Sequence, residues 1–147
     1  MKPTRINVLL KNIFLGVFAI LMILSFDSCT RKQKFLNSSI APAARGYAMV
    51  KKDKNENFVV RVELTELAEV ERLQPPRKSY IVWMLSDEGT TKNLGRLNSS
   101  TGTFSKKLKA SFITVSTFKP LKVFITAEND ETIQYPVGQV VLTTDRF

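Results

Sequence analysis

Three carboxylates stand close together in the segment AENDET near the C-terminus, namely Glu128, Asp130 and Glu131. Hard cations such as Ca²⁺ bind about six to eight oxygen atoms, and clustered carboxylates can supply several of them. Asn129 could add an amide oxygen, but the spacing is not that of an EF-hand loop. A solvated hairpin loop fits these residues better than a metal site, so no metal ligand is predicted.

An aromatic residue and a group of glutamates could also take part in binding or catalysis. Trp83 could stack on a sugar or a peptide, but Ile81 and Leu85 share its face of a strand, which favours packing in the core. Four glutamates could pair as general acid and base across a cleft. They are Glu63, Glu66, Glu69 and Glu71. A charged strand edge is the simpler interpretation, so we predict no catalytic residue and no enzymatic activity.

The composition removes several kinds of site. The 147 residues include no His and one Cys, so the chain cannot assemble a usual zinc site, a Ser-His-Asp triad or a Cys-His pair. A disulfide within the chain is excluded for the same reason. We therefore expect no cofactor and no metal.

The chain is basic, with 22 Lys and Arg against 13 Asp and Glu and a net charge of +9. Such a charge can indicate binding to nucleic acid or anionic lipid. Here the cations are dispersed, without interleaved aromatic residues, which favours a solvated basic face and no nucleic-acid partner. Examples are Lys51, Lys52, Lys54, Lys106, Lys107 and Lys109. The first three also suit the protection of an edge strand against strand addition.

The N-terminal segment has the pattern of an export signal. Residues 1–12 carry three cations and no acid, and residues 13–26 are apolar except for Gly16 and Ser25. This run of 14 residues is shorter than the roughly 20 that cross a bilayer as a helix. It ends in Phe26-Asp27-Ser28-Cys29, which resembles the lipobox of bacterial lipoproteins. Asp27 departs from that pattern, in which its position is small or apolar.

The resemblance implies that residues 1–28 are a lipoprotein signal peptide and that Cys29 is the lipid attachment site. An uncleaved N-terminal anchor with an incidental cysteine, and plain secretion, are the alternatives. Residues 29–44 are polar and rich in small residues, which predicts a flexible tether. Its cations either lie against anionic head groups or are simply solvated, and they are Arg31, Lys32 and Lys34.

Residues 45–147 consist of short alternating segments. FVVRVELTEL alternates strictly, which predicts a half-buried strand, and SYIVWMLS is apolar on both faces, as in a central strand. NLGRLN and GTFSKKLK, separated by SSTG, predict a hairpin. ASFITVSTF, LKVFITAE and GQVVLTTD follow as strands, and LTELAEVERLQPP allows a helical turn. About eight regularly spaced strands predict a sandwich or a barrel.

Two longer segments resemble the C-terminal domain of anti-sigma-K factors. They are YIVWMLSDEGTTKNLGRLN and PLKVFITAENDETIQYPVGQVVLTT, and the similarity covers about residues 45–145. It implies an all-β, immunoglobulin-like sandwich of about seven to eight antiparallel strands, here preceded by an N-terminal signal or anchor helix. In that family the domain is an extracytoplasmic sensory or interaction module. Only twelve residues precede the apolar run, without His or Cys, so we expect the zinc-binding anti-sigma domain to be absent.

These observations predict a non-enzymatic, lipid-anchored domain of the bacterial cell envelope that faces the periplasm. Its expected partners are the membrane, through lipidated Cys29, and an unidentified envelope protein. The favoured role is protein interaction or signalling. The alternatives are a structural or assembly lipoprotein of the envelope, or a carbohydrate-binding or hydrolytic domain that uses the carboxylates.

Overall fold

The structure of the chain, a computed structural model, describes residues 11–17, 30–101 and 108–147. Residues 11–17 are helical, and no helix within the described ranges is long and apolar enough to cross a membrane. The predicted lipid attachment site Cys29 and the signal-peptide cleavage point lie outside the described residues. The strands are β1 (Thr30–Lys34), β2 (Arg45–Lys52), β3 (Phe58–Thr65), β4 (Ser79–Ser86), β5 (Thr91–Arg96), β6 (Asn98–Thr101), β7 (Leu108–Ser116), β8 (Pro120–Glu128) and β9 (Gln139–Thr143).

The strands form two antiparallel sheets that pack as a sandwich, which confirms the predicted mainly β architecture. The five-stranded sheet has the order β1-β2-β3-β7-β6, and the four-stranded sheet has the order β5-β4-β8-β9. Aliphatic side chains from both sheets fill the space between them, together with residues of the connections. Members of this core include Val60, Val62, Leu64, Val82, Met84, Ala110, Val123, Ile125 and Leu142.

Strand β3 follows its sequence pattern closely. Val60, Val62 and Leu64 are buried, whereas Arg61 and Thr65 between and after them are exposed. Alternation of this kind puts every second side chain on the core face of a sheet. The segment after β3 contains a short 3-10 helix, Val70–Arg72, at the place where a helical turn was predicted.

NLGRLN does not form the predicted hairpin with GTFSKKLK, of which residues 102–107 lie outside the described part of the chain. Strand β5 pairs with β4 in the four-stranded sheet, whereas β6 pairs with β7 in the five-stranded sheet. The chain changes sheets at Leu97, which is buried and donates its amide to the Tyr80 carbonyl at 2.9 Å. Strand periodicity predicts which face of a strand is buried but not which sheet the strand joins.

The segment that was predicted to be a flexible tether differs from that expectation. Strand β1 occupies Thr30–Lys34 and pairs along its whole length with β2, from Thr30 opposite Lys51 to Lys34 opposite Tyr47. Phe35 then bridges to Thr144, which links the two sheets, and Ala41 and Ala44 are buried. An edge strand needs only backbone hydrogen bonds on one side, so its polar sequence shows no apolar alternation.

Candidate interaction surfaces

Strand β4 is buried on both faces, as predicted, but its two faces contact different parts of the molecule. Val82 and Met84 belong to the core between the sheets, whereas Ile81 and Trp83 alternate with them and point outward from the four-stranded sheet. Trp83 is nevertheless fully buried, at 0% exposure. Burial of Trp83 confirms the packing interpretation, and the indole is not available to stack on a sugar or a peptide.

The indole of Trp83 is held by neighbours on β8. Its Nε1 donates to the Thr126 hydroxyl at 2.8 Å, and its ring stacks on Phe124 with centroids 6.4 Å apart. The Thr126 hydroxyl donates in turn to Glu128 Oε1 at 2.6 Å. A buried Trp usually has a hydrogen-bond acceptor for its N–H. Here the acceptor, the Thr126 hydroxyl, is itself hydrogen-bonded to the buried carboxylate of Glu128.

Glu128 is the residue whose role the sequence analysis missed. Its side chain is buried and accepts the backbone amides of Val137 at 3.2 Å and Gly138 at 2.8 Å, besides the Thr126 hydroxyl. A buried carboxylate is stable only when hydrogen bonds replace its hydration, and these three bonds do so. The carboxylate therefore fastens the end of the β8–β9 connection, which we call loop 129–138, to the end of β8.

The other two acids of the predicted cluster face different partners. Asp130 accepts the backbone amide and the hydroxyl of Thr132, both at 2.8 Å, and these bonds lower the pKa of Asp130. Glu131 forms an ion pair with Arg96 at 2.9 Å. Within the described residues, no group of three or more acidic, His or Cys side chains is placed to hold a metal ion.

Loop 129–138 crosses the outer face of the four-stranded sheet. It leaves the end of β8, reaches the edge strand β5 and returns to β9 on the other side of β8. Asn93 of β5, opposite Trp83 in the register, donates from Nδ2 to the carbonyls of Glu131 at 3.2 Å and Ile133 at 2.8 Å. The loop therefore covers Trp83, which explains why an outward-facing indole is buried.

The loop presents apolar side chains and borders a cleft. Tyr135 is 74% exposed and Val137 is 84% exposed, although the backbone beside Val137 is held by Glu128. Between the loop and β5 lies an open cleft of about 520 Å³, which we call the β5 cleft, lined chiefly by Lys92, Asn93, Thr132 and Tyr135. Large exposed apolar side chains on a fixed backbone are typical of a contact surface for another protein.

The four glutamates that could pair as acid and base have separate environments, and Glu71 is exposed on the 3-10 helix. Glu63 accepts a hydrogen bond from the Tyr47 hydroxyl, which raises the pKa of Tyr47, and lies 3.9 Å from Arg61. Glu69 pairs with Arg72 at 2.7 Å beside the 3-10 helix, and Glu66, which follows β3, also has an interaction partner. These contacts are structural pairs at the surface and give no acid–base constellation.

The outward surface of the five-stranded sheet carries most of its charge as cations. We call the outward side chains of β1, β2, β3 and β7 the basic face. Six of them are cationic and one, Glu63, is acidic, and the cations are Lys32, Lys34, Arg45, Lys51, Arg61 and Lys109. Aliphatic side chains lie among them, with Ile113 and Val115 both 59% exposed. Lys106 and Lys107 lie outside the described residues.

The comparisons with known proteins give no relative. No model of a protein family matches the chain, and neither the curated proteins nor the solved structures contain a match.

Proposed function

We propose that this chain is a non-enzymatic, lipid-anchored protein of the bacterial cell envelope, and that its sandwich binds another envelope protein on the periplasmic side. The binding surface is loop 129–138 with the adjoining β5 cleft. The observation that carries this proposal is the exposure of Tyr135 and Val137 on a loop whose backbone is fastened by buried Glu128. A preorganised apolar surface loses less conformational entropy on binding than a flexible one.

The strand order supports an immunoglobulin-like sandwich. Constant-type immunoglobulin domains have the orders A-B-E-D and C-F-G, and related domains add a strand beside C. With β2 as the first strand, the two sheets here have the same orders, with β5 beside the strand that corresponds to C. Strand β1 is an addition at the edge, and Trp83 departs from the immunoglobulin pattern because it faces outward. The proposed kinship to the anti-sigma-K sensory domain rests on the two resembling segments of the sequence within residues 45–145.

The environments of the candidate residues favour binding over catalysis. Trp83 is buried under the loop, and the acidic residues of AENDET are used in structural contacts. The proposed anchor rests on the Phe26-Asp27-Ser28-Cys29 motif and on the charged and apolar segments that precede it. Signalling or interaction is then the role that uses the exposed part of the domain.

Site-specific photo-crosslinking in the native envelope tests the proposed surface. A photoreactive amino acid at Tyr135 should give one discrete adduct with an envelope protein. The same amino acid at Asn55, exposed in the β2–β3 turn, is the matched control and should give none. Val137→Ser should reduce the yield of the Tyr135 adduct. Equal adducts from both positions, or none from Tyr135, would show that loop 129–138 is not the binding surface.

A further inference from the structure

We infer that the basic face lies flat against the anionic surface of a phospholipid bilayer, so that loop 129–138 points away from the membrane. This inference deepens the proposed function, since it rests on anchoring at the N-terminal end of the domain. It concerns a different surface from the protein-binding loop. It specifies which side of the sandwich meets the lipid head groups.

The position of β1 is the first observation. Thr30 begins β1 directly after Cys29, so few residues separate the proposed anchor from a folded sheet. Each extended residue adds at most about 3.5 Å, and the sheet edge therefore stays within a few ångströms of the anchored residue. Because β1 is the edge strand of the five-stranded sheet, that sheet is held beside the bilayer.

The charge distribution is the second observation. The basic face has six cations against one carboxylate, whereas on the opposite side of the sandwich Glu131 is paired with Arg96 and Asp130 lies near Lys78. Basic residues near an anionic leaflet each improve binding by about fivefold, which corresponds to about 1 kcal/mol. A molecule whose excess of positive charge is concentrated on one side is oriented by a negatively charged membrane.

The basic face combines cationic and aliphatic side chains in rows across the strands, and both types can contact lipid head groups. The register places Lys32, Met49, Arg61 and Ile113 in one row across the sheet, and Lys51, Val59 and Val115 in the next. Long cationic side chains can reach phosphates while the aliphatic ones enter the boundary between head groups and acyl chains. Lys32 is positioned by its contact with Tyr47, whose ring centroid lies 3.5 Å from Nζ.

An upright orientation is the competing arrangement. In that case the domain would stand on the end of the sandwich that carries Arg31, Lys52 and Lys119, which line one shallow pocket with Phe58 and Phe147. The two arrangements differ in the position of Lys109. It lies six residues along β7 from Val115, whose row includes Thr30 beside the proposed anchor, and therefore about 20 Å from that row. Only the flat arrangement brings both ends of the basic face to the lipid.

Fluorescence quenching on the full chain in vesicles distinguishes these arrangements. A fluorophore is attached at Ser111→Cys on the basic face, at Asn55→Cys on the β2–β3 turn, or at Gln134→Cys on loop 129–138, all exposed positions. Anionic vesicles contain about 30 mol% phosphatidylglycerol in phosphatidylcholine, and neutral vesicles contain phosphatidylcholine alone. Both kinds carry a quencher on the head groups. We expect strong quenching at Ser111→Cys in anionic vesicles only, and little at Gln134→Cys.

Charge variants supply the matched control. The triple variant Lys34→Gln, Arg61→Gln, Lys109→Gln should weaken the contact of the basic face with lipid. Each lost charge lowers the ratio of molecules with this face on the lipid to molecules with it free by about fivefold, so three lost charges lower it on the order of a hundredfold. The triple variant Lys52→Gln, Lys54→Gln, Lys119→Gln removes equal charge and should leave quenching at Ser111→Cys unchanged. Raising NaCl from about 0.1 M to about 1 M, which shortens the Debye length from about 10 to 3 Å, should mimic the first variant.

Three outcomes would overturn the inference, and a fourth would support it while the proposed anchor fails. Quenching at Asn55→Cys without quenching at Ser111→Cys would mean that the domain stands upright. An anchored chain with no quenching at any position would mean that the basic face does not contact the lipid. If mass analysis finds no lipid on the chain and it still floats with anionic but not neutral vesicles, the basic face is supported while the anchored function fails. A chain that lacks lipid and floats with neither vesicle would overturn both.

Discussion

At the scale of single residues, Trp83 is the side chain whose removal should cost the most stability. Its side chain is fully buried against Phe124 and under loop 129–138, so Trp83→Ala leaves a cavity and removes the hydrogen bond to the Thr126 hydroxyl. Truncation of a buried Trp typically costs about 3–5 kcal/mol. Urea denaturation of the variant, with exposed Tyr135→Ala as the control within about 0.5 kcal/mol of wild type, measures this cost. A loss below about 1 kcal/mol would contradict the burial of the indole.

A second residue-scale prediction concerns Tyr80 and alkaline pH. Burial raises the pKa of Tyr80 to about 12, with the charge of Glu71 acting in the same direction. Between pH 10 and this value the unfolded chain has lost the phenol proton while the folded chain keeps it, so the free energy of unfolding falls as pH rises. The contribution is complete below pH 10.

Tyr80→Phe isolates this effect from the titration of lysines. The Tyr80 hydroxyl donates to the Ala68 carbonyl at 3.0 Å, so its loss should cost about 1 kcal/mol at neutral pH. Because the variant lacks the alkaline loss, its stability should approach that of wild type as pH rises above 10. Chemical denaturation at several pH values measures both curves, and a difference that stays constant with pH would contradict the raised pKa.

At the scale of elements, the C-terminal end of loop 129–138 is held by the carboxylate of Glu128. Glu128→Ala leaves the amides of Val137 and Gly138 without their acceptor, which should cost about 1.5–3 kcal/mol and release this end of the loop from the sheet. Trp83 is the only tryptophan, so its emission should shift to longer wavelength as water reaches the indole under native conditions. Asp130→Ala, which removes an exposed carboxylate from the same loop, should leave the emission unchanged.

Gly138 offers an independent approach to the same element. A Cβ at this position would lie 2.0 Å from the Ala127 carbonyl oxygen and 2.6 Å from Glu128 Oε2, so Gly138→Ala should displace the loop as Glu128→Ala does. Faster amide hydrogen exchange across the loop, with the exchange of β3 unchanged, is the expected pattern. If both variants keep native emission and exchange, the brace between Glu128 and the loop is not the interaction that holds it.

The sequence predicted the strands whose buried side chains leave a clear pattern, either alternating or apolar throughout. Strand β3 was found because Val60, Val62 and Leu64 face inward, and β4 because it is apolar throughout. Strand β1 was missed because an edge strand with polar residues has no buried face that the sequence could reveal. The covering of Trp83 was missed because it depends on contacts between residues far apart in sequence, such as Asn93 with Ile133.

At the scale of the whole molecule, the two sides of the sandwich have separate tasks in our proposal. The five-stranded sheet, with β1 at its edge, meets the membrane, and the four-stranded sheet carries loop 129–138 toward the periplasm. Because β1 begins at Thr30, directly after Cys29, the height of the loop above the bilayer is set by the thickness of the sandwich rather than by a flexible tether. This geometry requires an anchor at or just before Cys29.

The anchor itself gives the last prediction. Each buried methylene contributes about 0.8 kcal/mol, so two or more acyl chains hold a protein on a bilayer where one chain barely does. Cys29→Ser should abolish the incorporation of a labelled fatty acid and leave a precursor that is heavier by the 28 residues from Met1 to Ser28. Asp27→Ala is the matched control, and it should be processed at least as efficiently as wild type, because it moves the motif toward the lipobox pattern. If the wild-type chain carries no lipid and retains Met1, the anchor is the apolar segment 13–26 with its flanking residues, and Cys29→Ser will leave its membrane attachment unchanged.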